Sequence, residues 1–598
     1  MKIKEIVTLA KKRDSTVSRC RVYLIEFWVE WARRTRDRAV DQERREHATR
    51  TMATNEGKKN VEMTTTTTGK GSIVDATNIV SNRSLGSLAS VGDMFGQQKQ
   101  KLTGSAVFAI FVGAIAGLLF GFDQNVFNLI FDETAFRATM GMPPAVEQCG
   151  PAAGTEPLWV SNRIALIQAL YPIGCAAASP FAGTMNDRFG RYKTLWVGMV
   201  IFFLGASLQT AANDWPMLMA GRVIAGMSVG ILSSVVPVYI GELAPAHLRG
   251  GLGSLFQVGI TFGAVFATVW CMILQSTIHG VNYVWRLETG MQLVIGLVMA
   301  VSMLFIPESP RFLAKNGQNE KARNVLRKLR GDAGEEVTEA EMKEIEVEVA
   351  MESKMTARVL DLFSKEVRFA TMVALTIPIM QQFTGINVLM GFSATIFNSM
   401  CLDGNTVTLV QNIVNLIATC TVVLYFSDRV GRKSMLVLTS AFIFVIWVIG
   451  CSLLWTLEIT KNVAYGIAVL NAIYVATFAL AWGPNGWVIP NEVLPLRLRG
   501  LGCGFATFNN WIFNFIVSYT APIAQNRIGF AGNMMIYAVL MLLSCPLLFF
   551  LMPETKGVPL EEMEEKFNVP LKTYVKNNAT DLRRRRAPEA EEPEQPAV

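Results

Sequence analysis

An aspartate, Asp123, stands in a run of almost wholly apolar residues from Ala106 to Ile130. On insertion scales an aspartate at the centre of a membrane helix costs about 2.5 to 3.5 kcal/mol, so an idle one is disfavoured. Phe120, Asp123, Gln124 and Phe127 recur at i, i+3, i+4 and i+7, which places them on one polar and aromatic helix face. Gly113, Gly117 and Gly121, spaced by four, form a separate stripe suited to close approach of a neighbouring helix. A cation in a similar setting, Arg222 of GRVIAGMSVG, reads either as a membrane-interface anchor or as a buried charge with a partner. A second cluster is made of amides. The segment IPIMQQFTGINVLMGF carries Gln381, Gln382 and Asn387, side chains that donate and accept hydrogen bonds at once. In an ideal helix Gln381 and Asn387 lie about 600 degrees apart, about 120 degrees off a common face. Convergence therefore needs a local break, for which Gly385 and Gly391 are the candidates. The competing reading is that these amides bond neighbouring helices.

Other chemistries lack their parts. Three histidines argue against a histidine-based catalytic or metal centre. The nine cysteines show no CxxC spacing and fall mostly in apolar runs (Cys175, Cys271, Cys420, Cys451, Cys503), as small packing residues do. Cys149 and Cys401, in loops on one common side, are candidates for a single disulfide. No nucleophile and base pair is visible, so an enzyme is not expected, nor a metal, a cofactor or a nucleic-acid partner.

The elements that must hold Asp123 and the amides are membrane helices. The chain has 598 residues, 51% hydrophobic and 17% charged, with mean hydropathy +0.33. Apolar windows long enough to span a bilayer fall near 104–130, 159–182, 194–212, 216–240, 252–275, 289–306, 369–398, 407–426, 434–456, 463–490, 501–523 and 533–552. Lys and Arg concentrate in alternate connections, DRFGRYK, HLRG, the stretch 308–368, DRVGRK and RLRG, which puts both termini and the central loop in the cytosol. The chain also repeats itself: DRFGR at 187 recurs as DRVGR at 428, ELAPAHLRG at 242 as EVLPLRLRG at 492, and PESPR at 307 as PETKG at 553. Three ordered pairs at nearly one offset imply two homologous halves, with the functional site between them near the bilayer midplane.

The expected organisation is an N-terminal extension over 1–103, a six-helix bundle over 104–306, a helical linker over 307–368, a second six-helix bundle over 369–552 and a tail over 553–598. Both flanks read as largely disordered. Residues 1–50 carry fourteen Lys or Arg against eight Asp or Glu, a balance that suits either anionic lipid or solvent. Residues 20–32, CRVYLIEFWVEWA, are an amphipathic stretch that either lies on the membrane surface or binds a cytosolic partner, or has no role.

PESPR, PETKG, the paired DRxGR loops, GRxxxG in the fourth segment and QQxxGIN in the seventh together resemble the sugar porter family of the major facilitator superfamily, over about residues 100–568. The long polar N-terminus and enlarged loop 131–158 are similar in style to kinetoplastid hexose transporters, which would place the protein in the plasma membrane or a flagellar subdomain of it. The resemblance implies an all-α membrane protein of twelve transmembrane helices in two six-helix pseudo-repeats, and alternating access of a monosaccharide. A sugar ring offers hydroxyls and apolar faces, so its site wants neutral amides and aromatic planes.

By the same resemblance, Gln381, Gln382 and Asn387 contact sugar, joined by Phe120, Gln257, Asn415, Trp487, Asn510 and Trp511. Trp487 sits among Gly483, Pro484, Gly486 and Pro490, so its helix is expected to be discontinuous and to form the inner gate. Asp187, Arg188, Arg191, Glu242, Arg249, Glu308 and Arg311, with Asp428, Arg429, Arg432, Glu492 and Arg499, correspond to salt-bridge clusters that latch the outward-open state. Asp123 and Arg222 match an Asp–Arg pair of proton symporters. Gly391 and Phe392 depart from the pattern, since many members carry two aromatics there. The leading expectation is proton-coupled hexose symport. A facilitative uniporter, an inositol symporter and a non-transporting sugar receptor are the alternatives.

Overall fold

The structure is a computed structural model that describes residues 103–145, 156–245, 253–278, 283–331, 335–353, 358–423 and 431–556, with 563, 566–567, 569–570, 572–576 and 578 beyond them. Among the described residues the chain is helical, with no strand. The first half comprises α1 (Gly104–Ile130), the short α2 (Thr134–Thr139), α3 (Leu158–Phe189), α4 (Arg191–Thr210), α5 (Trp215–Leu243), α6 (Leu255–Thr277) and α7 (Val284–Met303). A linker of α8 (Pro310–Lys315), α9 (Asn319–Arg330) and α10 (Glu335–Ser353) follows. The second half contains α11 (Arg368–Phe383), α12 (Ile386–Asn398), α13 (Gly404–Thr421), α14 (Arg432–Thr456), α15 (Lys461–Val493) and α16 (Leu496–Leu551).

Ten helical stretches among the described residues are long and apolar enough to cross a membrane. The stretch 368–398 joins α11 and α12. The stretch 497–551 holds two crossings that meet at Gly529, where φ is 73° and the helix changes direction. With α13, of 18 residues, the crossings among the described residues number twelve, in two halves of six. Several helices outrun the apolar windows that announced them. Thus α3 continues to Phe189 and α15 to Val493, because their polar ends go on hydrogen-bonding as helix beyond the apolar segment.

Packing begins with the glycines of α1. A Cβ on Gly117 would lie 2.3 Å from the Phe256 carbonyl oxygen, and one on Gly121 1.9 Å from that of Ile260. The approach is reciprocal, since Gly259 and Gly263 of α6 would each meet an α1 carbonyl oxygen, Ala114 or Leu118, at 2.3 Å. The two backbones are therefore in direct contact, which only residues without a side chain permit. Gly113 faces elsewhere, toward Ile240 of α5.

The linker is docked by a buried arginine. Arg330 Nε and Nη2 reach both oxygens of Glu341 at 2.8 and 2.6 Å, and Nη1 donates to the Leu243 carbonyl at the end of α5 at 2.9 Å. In the second half, Tyr574 stacks on Phe369 at 6.0 Å and donates to the Leu551 carbonyl at 2.7 Å, which ties the segment after α16 to α11.

Cys401 is disulfide-bonded. Its candidate partner Cys149 lies outside the described residues, as do the 20–32 stretch, Arg249, Asp428 and Arg429.

Candidate functional site

The helix break falls at one glycine. α11 ends at Phe383, and Gly385 adopts φ 86°, in the left-handed region that an L side chain resists. A Cβ there would also stand 2.9 Å from the Tyr537 ring. The break exposes the Thr384 carbonyl, which accepts from Trp447 Nε1 at 3.0 Å and Tyr474 OH at 2.9 Å. Gly391 does not contribute, because it lies within the continuous α12.

The turn at Gly385 brings the amides together. Asn387 Nδ2 donates to Gln382 Oε1, Gln382 Nε2 to Asn510 Oδ1 at 2.9 Å, and Asn510 Nδ2 to Gln381 Oε1 at 2.7 Å. Gln381 Nε2 then donates to the Trp482 carbonyl at 2.6 Å. Four amides from α11, α12 and α16 thus form one chain that ends on α15. Each is buried, and each keeps a second donor or acceptor site that a ligand can use.

Aromatic rings adjoin the chain. Trp511, 1% exposed, meets Phe120 of α1 at 5.5 Å, Trp487 of α15 at 6.4 Å and Tyr171 of α3 at 6.5 Å. Among the described residues its indole Nε1 and the Tyr171 hydroxyl have no hydrogen-bond partner. Gln257 of α6 points to the same level, with Nε2 3.9 Å from the Cβ position of Gly483. Asn415 is not brought in by any contact among the described residues except that from Thr419 Oγ1, 3.5 Å from its Oδ1. One turn earlier Asn412 donates to Thr268 Oγ1 at 3.0 Å and joins α13 to α6.

The expected discontinuity at Trp487 is absent: α15 runs unbroken through Pro484 and Pro490. Side chains support the turn the prolines loosen. Gln381 donates to the Trp482 carbonyl, and Asn485 Nδ2 to that of Ala481 at 2.8 Å. Gly486 makes this fit, since a Cβ there would lie 2.5 Å from Gln381 Nε2.

One turn along α1 from Phe120, Asp123 meets Arg222, and both are wholly buried. Arg222 Nη1 lies 3.2 Å from Asp123 Oδ1 and 3.2 Å from the Asp123 carbonyl, and Nε donates to the Ile167 carbonyl at 3.1 Å. The guanidinium stands 4.3 Å from the Phe127 ring centre and 4.5 Å from that of Tyr171, a cation held by aromatic faces as well as by its counter-ion. Arg222 is therefore a buried partnered charge, not an interface anchor. Asp123 Oδ2 and Arg222 Nη2 have no hydrogen-bond partner among the described residues.

At the end that bears DRFGR, the clusters built on Arg191 and on Arg432 each lie within one half. Arg191 pairs with Glu242 at 2.6 Å, and Glu308 accepts from the Arg191 N–H at 3.0 Å. The second half repeats this with Arg432, Glu492 at 3.1 Å and Glu554, which accepts from the Arg432 N–H at 2.9 Å. Glu554 was not singled out from sequence, although the PETKG echo of PESPR pointed to it. Burial raises the Glu308 carboxyl above its ordinary value, opposed by the backbone N–H groups of Ser309, Tyr192 and Arg191. Asp187 pairs with Lys315 at 3.3 Å and Arg311 with Glu348 at 3.1 Å, while Arg188 lies over Phe189 at 5.8 Å and Arg499 is half-buried at the start of α16.

The opposite end joins the halves, through residues that sequence reasoning missed. Asn128 donates to Ser393 Oγ at 3.3 Å and accepts from the Ala394 N–H at 3.3 Å. Asn398 donates to Asp132 Oδ2 at 2.9 Å, and the Phe131 and Phe392 rings stack at 6.2 Å. Short polar residues at this end give no motif to search for; only the pairing reveals them.

Beside this seam, Glu133 stands near Glu288, which accepts from Gln275 Nε2 at 3.0 Å. Burial raises the Glu133 carboxyl above its ordinary 4.5. The folded state thus favours the protonated form. Its contribution is complete below the ordinary value and is lost as pH rises through the raised one. Thermal unfolding in detergent should show stability falling with rising pH across this window, and Glu133→Gln should flatten the slope. An unchanged slope in the variant would count against a burial-raised carboxyl at Glu133.

The family model for "Sugar (and other) transporter" matches residues 109–567. A probable metabolite transport protein, CsbC of Bacillus subtilis, is 32% identical over 481 residues, 79% of this chain and 95% of that protein. The H(+)/hexose cotransporter 2 of Parachlorella kessleri is 29% identical over 75% of this chain and 84% of its own. Among solved structures, the proton:xylose symporter XylE of E. coli, bound to 6-bromo-6-deoxy-D-glucose, aligns with TM-score 0.66 and 25% identity, over 77% of this chain and 99% of that one.

Proposed function

The chain belongs to the sugar transporter family of the major facilitator superfamily, and from that premise we propose that it carries a hexose across the membrane in symport with a proton. The observation that supports this most is that sugar chemistry and charge pair share parts. The Tyr171 ring touches Arg222 on one side, at 4.5 Å, and Trp511 on the other, at 6.5 Å. The same helix supplies both Phe120, against Trp511, and Asp123, against Arg222.

In this reading Gln257, Gln381, Gln382, Asn387, Asn510 and Trp511 hold the sugar, with Phe120 and Trp487 above and below it. Each neutral hydrogen bond contributes about 0.5 to 1.5 kcal/mol, weak enough for release. Protonation of Asp123 removes its charge, frees Arg222 from the pair and lets the empty or loaded site exchange faces. The proton leaves when the site opens to the other side. The ion-pair clusters at the DRFGR end brace each half as a unit that moves whole. That end faces the cytosol, as its Lys and Arg content favours, and the plasma membrane is the expected location.

Counterflow in proteoliposomes, with labelled glucose challenged by other hexoses, pentoses and inositol, tests the substrate. Hexoses should compete best. Competition by inositol alone would replace the hexose reading with a polyol carrier.

A further inference from the structure

Gln168 of α3 is 4% exposed and lies within a membrane-spanning helix, yet among the described residues its Oε1 has no hydrogen-bond donor. Its Nε2 lies 3.0 Å from the point where Gly391 of α12 would carry a Cβ, and among the described residues it has no acceptor. A buried amide oxygen left unpaired is costly, because the water it lost is not replaced. Such a group points to a missing partner.

Its surroundings say which. Gly391 is four residues after Asn387, hence one turn further along the same face of α12, about 6 Å from the amide chain. Tyr171, three residues after Gln168 on α3, shares its face and meets Trp511 at 6.5 Å. Trp511 adjoins Asn510, a member of the amide chain. Gln168 is thus held beside the rings that border the central site, one turn beyond Asn387. The polar seam of Asn128 and Ser393 lies on the far side of Gly391 from Asn387, at the next residues of α12.

We propose that Gln168 is a further sugar-contacting residue, an amide aimed from α3 into the outer part of the central site through space that Gly391 leaves open. It donates to or accepts from a ring hydroxyl, as the other amides do. A bulkier residue at 391 would fill the place where the amide lies. The inference rests on the reading that the central site binds a monosaccharide.

The test is counterflow by wild type and Gln168→Leu with the parent hexose and its single deoxy analogues. The substitution should raise KM for the parent roughly two- to tenfold, the loss of one neutral hydrogen bond, with kcat little changed. For one deoxy analogue, lacking the hydroxyl that Gln168 contacts, wild type and variant should share one KM. Gly391→Ala, whose added carbon crowds Nε2, should raise KM with the same hydroxyl pattern. If Gln168→Leu does not reach the membrane, Gln168→Asn, which keeps the amide one carbon short, is held to the same criterion. An equal rise for every analogue, or no rise for any, overturns the proposal and assigns Gln168 a packing role. Absence of counterflow by the wild type with any sugar is a different result, since it removes the central-site reading itself.

Discussion

Replacing Asp123 with asparagine should abolish accumulation of sugar above equilibrium while leaving counterflow intact. For one proton per sugar, a gradient of one pH unit drives about tenfold accumulation in the wild type; the variant should stop at unity. Asparagine matches aspartate in shape and keeps an oxygen for Arg222 Nη1, now 3.2 Å from Oδ1, but it cannot titrate. Removing one partner of a buried ion pair typically costs about 3 to 5 kcal/mol. Here the Ile167 carbonyl and the Phe127 and Tyr171 rings still hold the cation, so folded carrier should persist at reduced stability. Uptake has therefore to be normalised to protein in the membrane. Accumulation that survives the substitution would remove the coupling role of Asp123 and leave it as the fixed counter-ion of Arg222.

The second large effect concerns assembly. A Cβ at Gly121 would sit 1.9 Å from the Ile260 carbonyl oxygen and 2.8 Å from the carbonyl carbon. Both are backbone atoms of a helix, which cannot turn aside as a side chain would. Overpacking costs about 1 to 3 kcal/mol where neighbours can adjust, and more is expected here because α1 and α6 must part along their whole crossing. Gly121→Ala should consequently remove most of the monodisperse protein extracted in mild detergent. Gly466→Ala is the control: nothing lies within 4 Å of its Cβ position on α15, and alanine is the better helix former. Equal yield and melting temperature for the two variants would contradict the tight crossing.

The sequence already contained the twelve spans, because a bilayer demands long apolar windows and little else satisfies that demand. It also contained the polar face of α1, since four side chains at i, i+3, i+4 and i+7 can hardly avoid one another. What it hid depended on partners from distant segments. Pro484 and Pro490 read as breakers, but α15 stays continuous because Gln381, about a hundred residues away, donates to its carbonyls. Gly385 and Gly391 looked equivalent; the left-handed turn at Gly385 and the capping of the Thr384 carbonyl by Trp447 and Tyr474 distinguish the first as the break. Asn415 and Asn412 are one turn apart on α13, and periodicity alone does not say that Asn412 is the one that reaches Thr268 of α6. The seam of Asn128 with Ser393 joins residues with no motif at all. Internal repetition held more than was read from it: Glu554 of PETKG serves Arg432 as Glu308 of PESPR serves Arg191.

Proton movement with sugar is the most direct measurement of the central claim. Wild-type protein in proteoliposomes with a pH dye inside, and no imposed gradient, is given an inward hexose gradient. Coupled transport predicts acidification of the lumen that follows sugar entry and is absent in Asp123→Asn. Sugar entry into the lumen with no pH change in the wild type would contradict it and identify the protein as a uniporter.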